Sequence, residues 1–279
     1  VVFSQSKSKL LKTSVFLKVC NMAQASSSSL GCCFMVVEMR RILIIKVGRT
    51  LPSLITRRHD FEDWVISGMG AAREQVKIVE VNNGGTLPNY NEISGIVITG
   101  SHNMVTERLN WSEYAAKWLP GAVERQIPTL GICYGHQLLA YSLGGRVANN
   151  PKGREYGTVE VRLNDLAQND LLLGGLGKHI MVHVCHTQSV IKLPQGAKVL
   201  AENDMDRHQA FVVGDRVWGT QFHPEFDAEI VANYINHYRE LLLKGGLDPD
   251  GCLKRVADTQ YGSLILTRFY KIIEDSEAA

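Results

Sequence analysis

The chain reads as an α/β protein, a mostly parallel open sheet with helices on both faces and an antiparallel extension. Three observations predict this. From Arg41 onward, short β-branched runs alternate with longer helical patterns. Their order is βαβαβ. After Gly145 the pattern changes to closely spaced strands separated by turn residues, which places an antiparallel part on the same sheet.

Taken in order, the strand candidates of the first part are Ile42 to Val47, Val76 to Val81, Gly95 to Thr99 and Pro128 to Ile132. One helix opens with Asp60 as N-cap and Asp63 in its first turn, and another runs from Trp111 to Arg125. The second part carries strands at Tyr156 to Leu163, Ile180 to Val184, Lys198 to Ala201, Ala210 to Val213 and Val217 to Gln221. An amphipathic helix from Ala228 to Lys244, a turn at Asp248-Pro249-Asp250-Gly251 and a last helix from Gly262 to Glu274 close the chain. No internal repeat is visible.

Residues 1–38 differ in composition from the rest. Lys7, Lys9, Lys12 and Lys18 occur with no acid before Glu38, and Ser26 to Ser29 form a serine run. The segment is expected to be an extension, disordered or otherwise outside the fold. A transit peptide and a start assigned too far upstream are both open readings, because no arginine precedes Arg40 and Met39 directly precedes the first strand. Residues 39–245 then form the main domain, and residues 246–279 a helical extension packed on it.

The totals exclude several classes. A length of 279 residues suffices for a sizeable core, and 45% hydrophobic with 21% charged residues is an ordinary globular composition, neither disordered nor fibrous. A formal charge of +2 and the lack of a basic stripe with interleaved aromatics argue against a nucleic-acid partner. No apolar run is long enough to span a membrane. The cysteines at 20, 32, 33, 133, 185 and 252 are irregularly spread, with no C-x-x-C pair, which suits a reducing cytoplasm.

The chemistry concentrates in Thr129-Leu130-Gly131-Ile132-Cys133-Tyr134-Gly135-His136-Gln137, an apolar strand running through Gly-x-Cys-x-Gly into a helix. This is the pattern of a nucleophile elbow, in which the glycines relieve crowding at a sharp strand-to-helix turn. The helix N-terminus favours the thiolate. Taken alone, Cys133 could equally be a small buried hydrophobe. A base is supplied 90 positions later by Gln221-Phe222-His223-Pro224-Glu225, where Pro224 stiffens the turn after a strand. Both segments lie at strand exits, the usual ligand end of an open α/β sheet. Glu225 can accept from the second imidazole nitrogen and complete a Cys-His-Glu relay.

Gly131 to Gln137 and Gln221 to Glu225 together resemble the two signatures of class I glutamine amidotransferases, and the resemblance runs from Arg41 to Tyr238. It implies a flavodoxin-like fold with Cys133 as nucleophile on the glutamine side-chain carbonyl, His223 as proton carrier and Glu225 as its orienter. It further implies an oxyanion hole from the backbone of Tyr134 and from the turn at Gly100 and Ser101. There the chain departs from the commoner family pattern by having Ser101-His102 in place of glycine and proline. Gln137 resembles a residue that contacts the amino-acid end of the substrate. Cys185 to Val190 looks like a second substrate loop, with Thr187 and Gln188 standing where the family has glycine and an acid.

No metal or cofactor is expected. His183 and His186 face opposite ways on a strand, and the family chemistry needs no metal. Arg154 and Glu155, before Tyr156, could line the pocket, but charged residues that begin a strand are usually a solvated face.

The resemblance is nearest to the glutaminase half of GMP synthase, but no synthase module, Walker-type loop or Ser-Gly-Gly loop follows the last motif. The expected function is release of ammonia from glutamine through a cysteinyl thioester, free-standing or for a separate synthase partner. A γ-glutamyl peptidase with the same triad is the alternative, and a catalytically silent binding domain the third. The expected ligand is glutamine or a γ-glutamyl small molecule, with no nucleic-acid or membrane partner.

Overall fold

The computed structural model describes residues 40–278; the expectation for residues 1–38 lies outside them. The first part comprises β1 (Arg41–Lys46), α1 (Pro52–Arg58), α2 (Phe61–Met69), β2 (Val76–Glu80), β3 (Ile93–Ile98), α3 (Asn110–Glu124), β4 (Thr129–Ile132) and α4 (Tyr134–Ser142). Seven strands follow: β5 (Arg146–Asn149), β6 (Glu155–Leu163), β7 (His179–His186), β8 (Gln188–Lys192), β9 (Ala197–Glu202), β10 (Ala210–Val213) and β11 (Val217–Thr220). The helices α5 (Ala228–His237), α6 (Arg239–Lys244), α7 (Pro249–Lys254) and α8 (Tyr261–Ala278) complete the described chain.

Nine strands form one sheet in the order β2-β1-β3-β4-β11-β10-β9-β6-β7. The first five are parallel to one another, and every pairing from β11 to β7 is antiparallel. The strand order 2-1-3-4 followed by the last strand is that of a flavodoxin-like sheet, and the antiparallel extension is present as expected. Strands β5 and β8 pair separately as a two-stranded ribbon.

Central strands are apolar on both faces because both faces are covered. Ile42 and Ile44 of β1 point to the side of Val65 and Met69 from α2 and Ile265, Phe269 and Ile273 from α8. Leu43 and Ile45 point to the opposite side, with Leu119 of α3 and Leu138 and Leu139 of α4. A third cluster joins Leu54, Phe61 and Trp64 to Tyr156, Phe226 and Ile230. It lies among α1, α2 and α5, by the strand ends where the pocket described below opens.

Asp60 caps α2 by accepting from the Phe61 amide (2.9 Å), and Asp63 returns to the Asp60 amide (3.4 Å). The same Asp60 carboxylate pairs with the fully buried Lys46 at 2.9 Å. The cap therefore also neutralises a lysine at the end of β1.

Some elements differ from the sequence reading. The expected helix from Ala228 to Lys244 divides at Tyr238 into α5 and α6, although the amide of Tyr238 still reaches Tyr234 O (3.0 Å) and that of Leu242 reaches Tyr238 O (2.9 Å). The Asp-Pro-Asp-Gly turn opens α7, since proline at the first helical position loses no bond it would otherwise make. Helix α1 and strands β5 and β8 go beyond the sequence reading, being too short for periodicity to mark them.

Phe269 of α8 is fully buried against the sheet and meets Trp218 edge to face at 6.2 Å. Truncating it leaves a cavity between helix and sheet. Phe269→Ala should cost about 3–5 kcal/mol of unfolding free energy, measurable by denaturant titration.

Candidate active site

The end of β4 and the start of α4 meet at Cys133, whose φ of 52° and ψ of −99° lie in a region that residues with side chains seldom occupy. The flanking glycines are required by close approach. A Cβ on Gly131 would stand 2.5 Å from Gly135 O, and one on Gly135 would stand 2.3 Å from Ile98 O. The Cys133 amide donates to Thr220 O at 2.8 Å, which ties this turn to the end of β11. The thiol faces a pocket of about 200 Å³ and donates to the Cys185 carbonyl at 3.8 Å.

His223 follows β11 closely and lines the same pocket. Its amide donates to His183 O (2.8 Å), its Nδ1 donates to Glu225 Oε1 (2.7 Å), and its ring stacks on Phe226 with centroids 3.9 Å apart. Both His223 and Glu225 are buried. Burial opposes a charge on the imidazole, but the neighbouring Glu225 carboxylate and Cys133 sulfur outweigh it and push the His223 pKa up to about 10. The ring is thus set to hold a proton next to the thiol.

The positions expected to form an oxyanion hole gather around this pair. Tyr134 is the first residue of α4, so its N–H has no intrahelical partner. Tyr134 and Ser101 line the pocket. Gly100 stands beside the imidazole, since a Cβ there would come 3.2 Å from His223 Cε1.

Gln137, Thr187 and Gln188 line the opposite wall. The Gln137 side-chain nitrogen donates to Gln188 O (2.8 Å) and to Gln221 Oε1 (2.9 Å). The Gln188 amide nitrogen donates to Thr106 Oγ1 (2.7 Å) and Asn149 Oδ1 (3.1 Å).

The reading of Glu155 as part of a solvated face is corrected. Its carboxylate is buried, accepting from Asn203 (2.6 Å), Gln209 (2.7 Å) and His186 Nε2 (2.9 Å). The other His186 nitrogen faces the Gln188 carbonyl at 3.0 Å. A carbonyl and a carboxylate can only accept, so the two contacts together favour an imidazole that donates from both nitrogens and carries a charge. Burial disfavours that charge, but the Glu155 carboxylate beside it raises the His186 pKa. Sequence reasoning missed the pair because its partners are 31 residues apart and meet only through the β6–β7 register.

The remaining wall was also missed. Phe61, Tyr234, Tyr238 and Leu241 contribute apolar surface. His102 stacks on Tyr234 with centroids 5.8 Å apart, and its Nδ1 shares a hydrogen bond with the Tyr238 hydroxyl at 2.8 Å; burial lowers its pKa. The spacing of Tyr234 and Tyr238, one helical turn apart, is the signal that could have revealed them. Among the described residues no group of three or more His, Cys, Asp or Glu side chains is placed to hold a metal ion. No described helix is long and apolar enough to cross a membrane.

A flavodoxin-like sheet thus carries a cysteine on a strained elbow, and His223, bonded to the buried Glu225, lines the same pocket. Comparison with known proteins gives the family: the model of the class I glutamine amidotransferase family matches residues 58–235, and the chain belongs to that family. It is 42% identical over 142 residues to a glutamine-hydrolyzing GMP synthase subunit of Sulfurisphaera tokodaii, covering 49% of this chain and 71% of that protein. It is 30% identical over 207 residues to the glutamine-hydrolyzing GMP synthase of Clostridium novyi, covering 72% of this chain and 37% of the relative. The chain thus spans little more than a third of that longer protein. Among solved structures, a glutamine amidotransferase from Thermotoga maritima superimposes with a TM-score of 0.67 at 22% identity, covering 84% of this chain and 98% of that one. This last likeness bears on the fold alone.

The Glu155–His186 pair has a pH signature. A histidine whose folded pKa is raised adds stability that is fully present below its unfolded pKa of about 6.5 and is lost as pH rises through the folded value. The stability advantage of the native protein over Glu155→Gln should be largest near pH 6 and shrink as pH rises beyond that, as read by urea unfolding across a pH series.

Proposed function

We propose that the chain hydrolyses the side-chain amide of glutamine to glutamate and ammonia through a γ-glutamyl thioester on Cys133. The observation that carries the reading is the His223 imidazole, held between Glu225 and Phe226 in the pocket that Cys133 enters. The Cys133 sulfur attacks the amide carbon, and the negative charge that develops on oxygen is met by the N–H of Tyr134 and backbone donors of Gly100 and Ser101. His223 gives its proton to the nitrogen as the C–N bond breaks and ammonia leaves. Water then attacks the thioester, His223 takes a proton from it, and glutamate departs as the thiol is restored. Glu225 keeps the imidazole in the orientation this requires.

The ammonia acceptor in this proposal is held by a separate synthase chain, as the printed name of the Sulfurisphaera tokodaii relative, one subunit of a GMP synthase, suggests. A γ-glutamyl peptidase acting through the same thioester is the second reading. The apolar side chains of Phe61, Tyr234, Tyr238 and Leu241 in the pocket favour it, because ammonia as leaving group needs no such surface.

Ammonia release from glutamine and amine release from a γ-glutamyl dipeptide, measured side by side on the purified chain, test both. Cys133→Ala should lower turnover by about four orders of magnitude or more. Preference for glutamine supports the amidotransferase reading and cleavage of the dipeptide alone the peptidase reading; turnover unchanged in Cys133→Ala contradicts both.

A further inference from the structure

We infer that Arg154 is the carboxylate-binding residue of the pocket, pairing with the α-carboxylate of the γ-glutamyl substrate. The inference rests on the γ-glutamyl reading above and adds to it the group that recognises the amino-acid end. Among the described residues lining the pocket, Arg154 is the single lysine or arginine, and no aspartate or glutamate lines it. Arg154 has no carboxylate within ion-pairing distance among the described residues, and its buried Nε has no hydrogen-bond partner. An unpaired guanidinium in a concave site is an anion-binding group waiting for its anion.

The strand register brings the backbone just before β6 near the nucleophile, and the Arg154 guanidinium lies by Gly245 at the end of α6. Tyr156 of β6 is paired with Cys185 of β7, and the Cys185 carbonyl touches the Cys133 thiol. Residues two apart on an extended chain share a face, and both Arg154 and Tyr156 line the pocket while Glu155 between them turns to His186. That step along the backbone is about 6.7 Å. The four carbon–carbon bonds between the side-chain carbonyl and the α-carboxylate of an extended glutamyl group span about 5 Å. A flexible arginine closes the difference. A neutral acceptor stands on the same wall: Gln188 Oε1 is buried without a partner, and its carbonyl dipole suits the substrate ammonium.

The test separates binding from turnover. In the full chain carrying Cys133→Ala, glutamine affinity is measured by calorimetry with and without Arg154→Gln and Arg154→Lys, and again with the α-amide of glutamine, which lacks the carboxylate. We expect Arg154→Gln to weaken glutamine binding about 10- to 100-fold, Arg154→Lys to weaken it less, and the α-amide to bind weakly and equally to all three, with thermal midpoints unchanged. In the Cys133 protein, KM should rise with little change in kcat. Equal glutamine affinity in Arg154→Gln, or no binding at millimolar glutamine in the Cys133→Ala protein, overturns the assignment. Arginine-dependent binding with no hydrolysis of glutamine or of a γ-glutamyl dipeptide by the native protein would leave the carboxylate site standing and remove the hydrolytic reading.

Discussion

Everything in the site depends on how closely β4 and α4 approach each other at Cys133. The strand must end and the helix must begin within one residue, and that residue takes a positive φ. Two glycines make this possible because any side chain at either would strike main-chain atoms of Gly135 or Ile98. Strain of this kind costs on the order of 1–3 kcal/mol and persists only where the surroundings hold it. Here they do so through the buried strands on both sides and the bond from the Cys133 amide to the end of β11. The same bond ties the elbow to the strand that His223 follows.

The two halves of the sheet divide the work. The parallel half carries at its strand ends the positions that the proposed hydrolysis uses: Gly100 and Ser101 after β3, Cys133 and Tyr134 after β4, and His223 after β11. These are strand ends at the carboxyl side of an open sheet, where a ligand can reach several elements at once. The antiparallel half supplies Tyr156 and Cys185 and, just beyond its strands, Arg154 and Thr187, while Gln188 comes from β8 of the separate ribbon; together they form a wall of the pocket. That wall is held from behind by the buried Glu155–His186 ion pair, whose remaining hydrogen bonds are met by Asn203, Gln209 and the Gln188 carbonyl. A buried ion pair is tolerated when its other lone pairs and protons are satisfied, and these polar groups satisfy them.

The parallel strands and the nucleophile elbow were legible in the sequence because each is written locally. Ile42 to Val47 is a largely apolar run, Asp60 and Asp63 sit at capping spacing, and Gly131 and Gly135 bracket Cys133. What was not legible depends on partners distant in sequence. Glu155 looks solvated until β7 brings His186 to it, and Tyr238 belongs to a uniform helical pattern until its hydroxyl meets His102. Short elements such as β5 and β8 carry too few residues for a periodic signal and exist because they pair with each other. The pocket also holds Ser101, Thr187 and Gln188 at positions where the resemblance predicts other residues.

The central claim is that Cys133 becomes acylated by a γ-glutamyl group. Acid quenching of the full chain during turnover of glutamine, followed by mass mapping of its peptides, tests this most directly. The account predicts a glutamyl adduct on the peptide containing Cys133, retained on denaturation and absent from Cys133→Ala. Steady ammonia release with the adduct on another residue, or undiminished in Cys133→Ala, would contradict it.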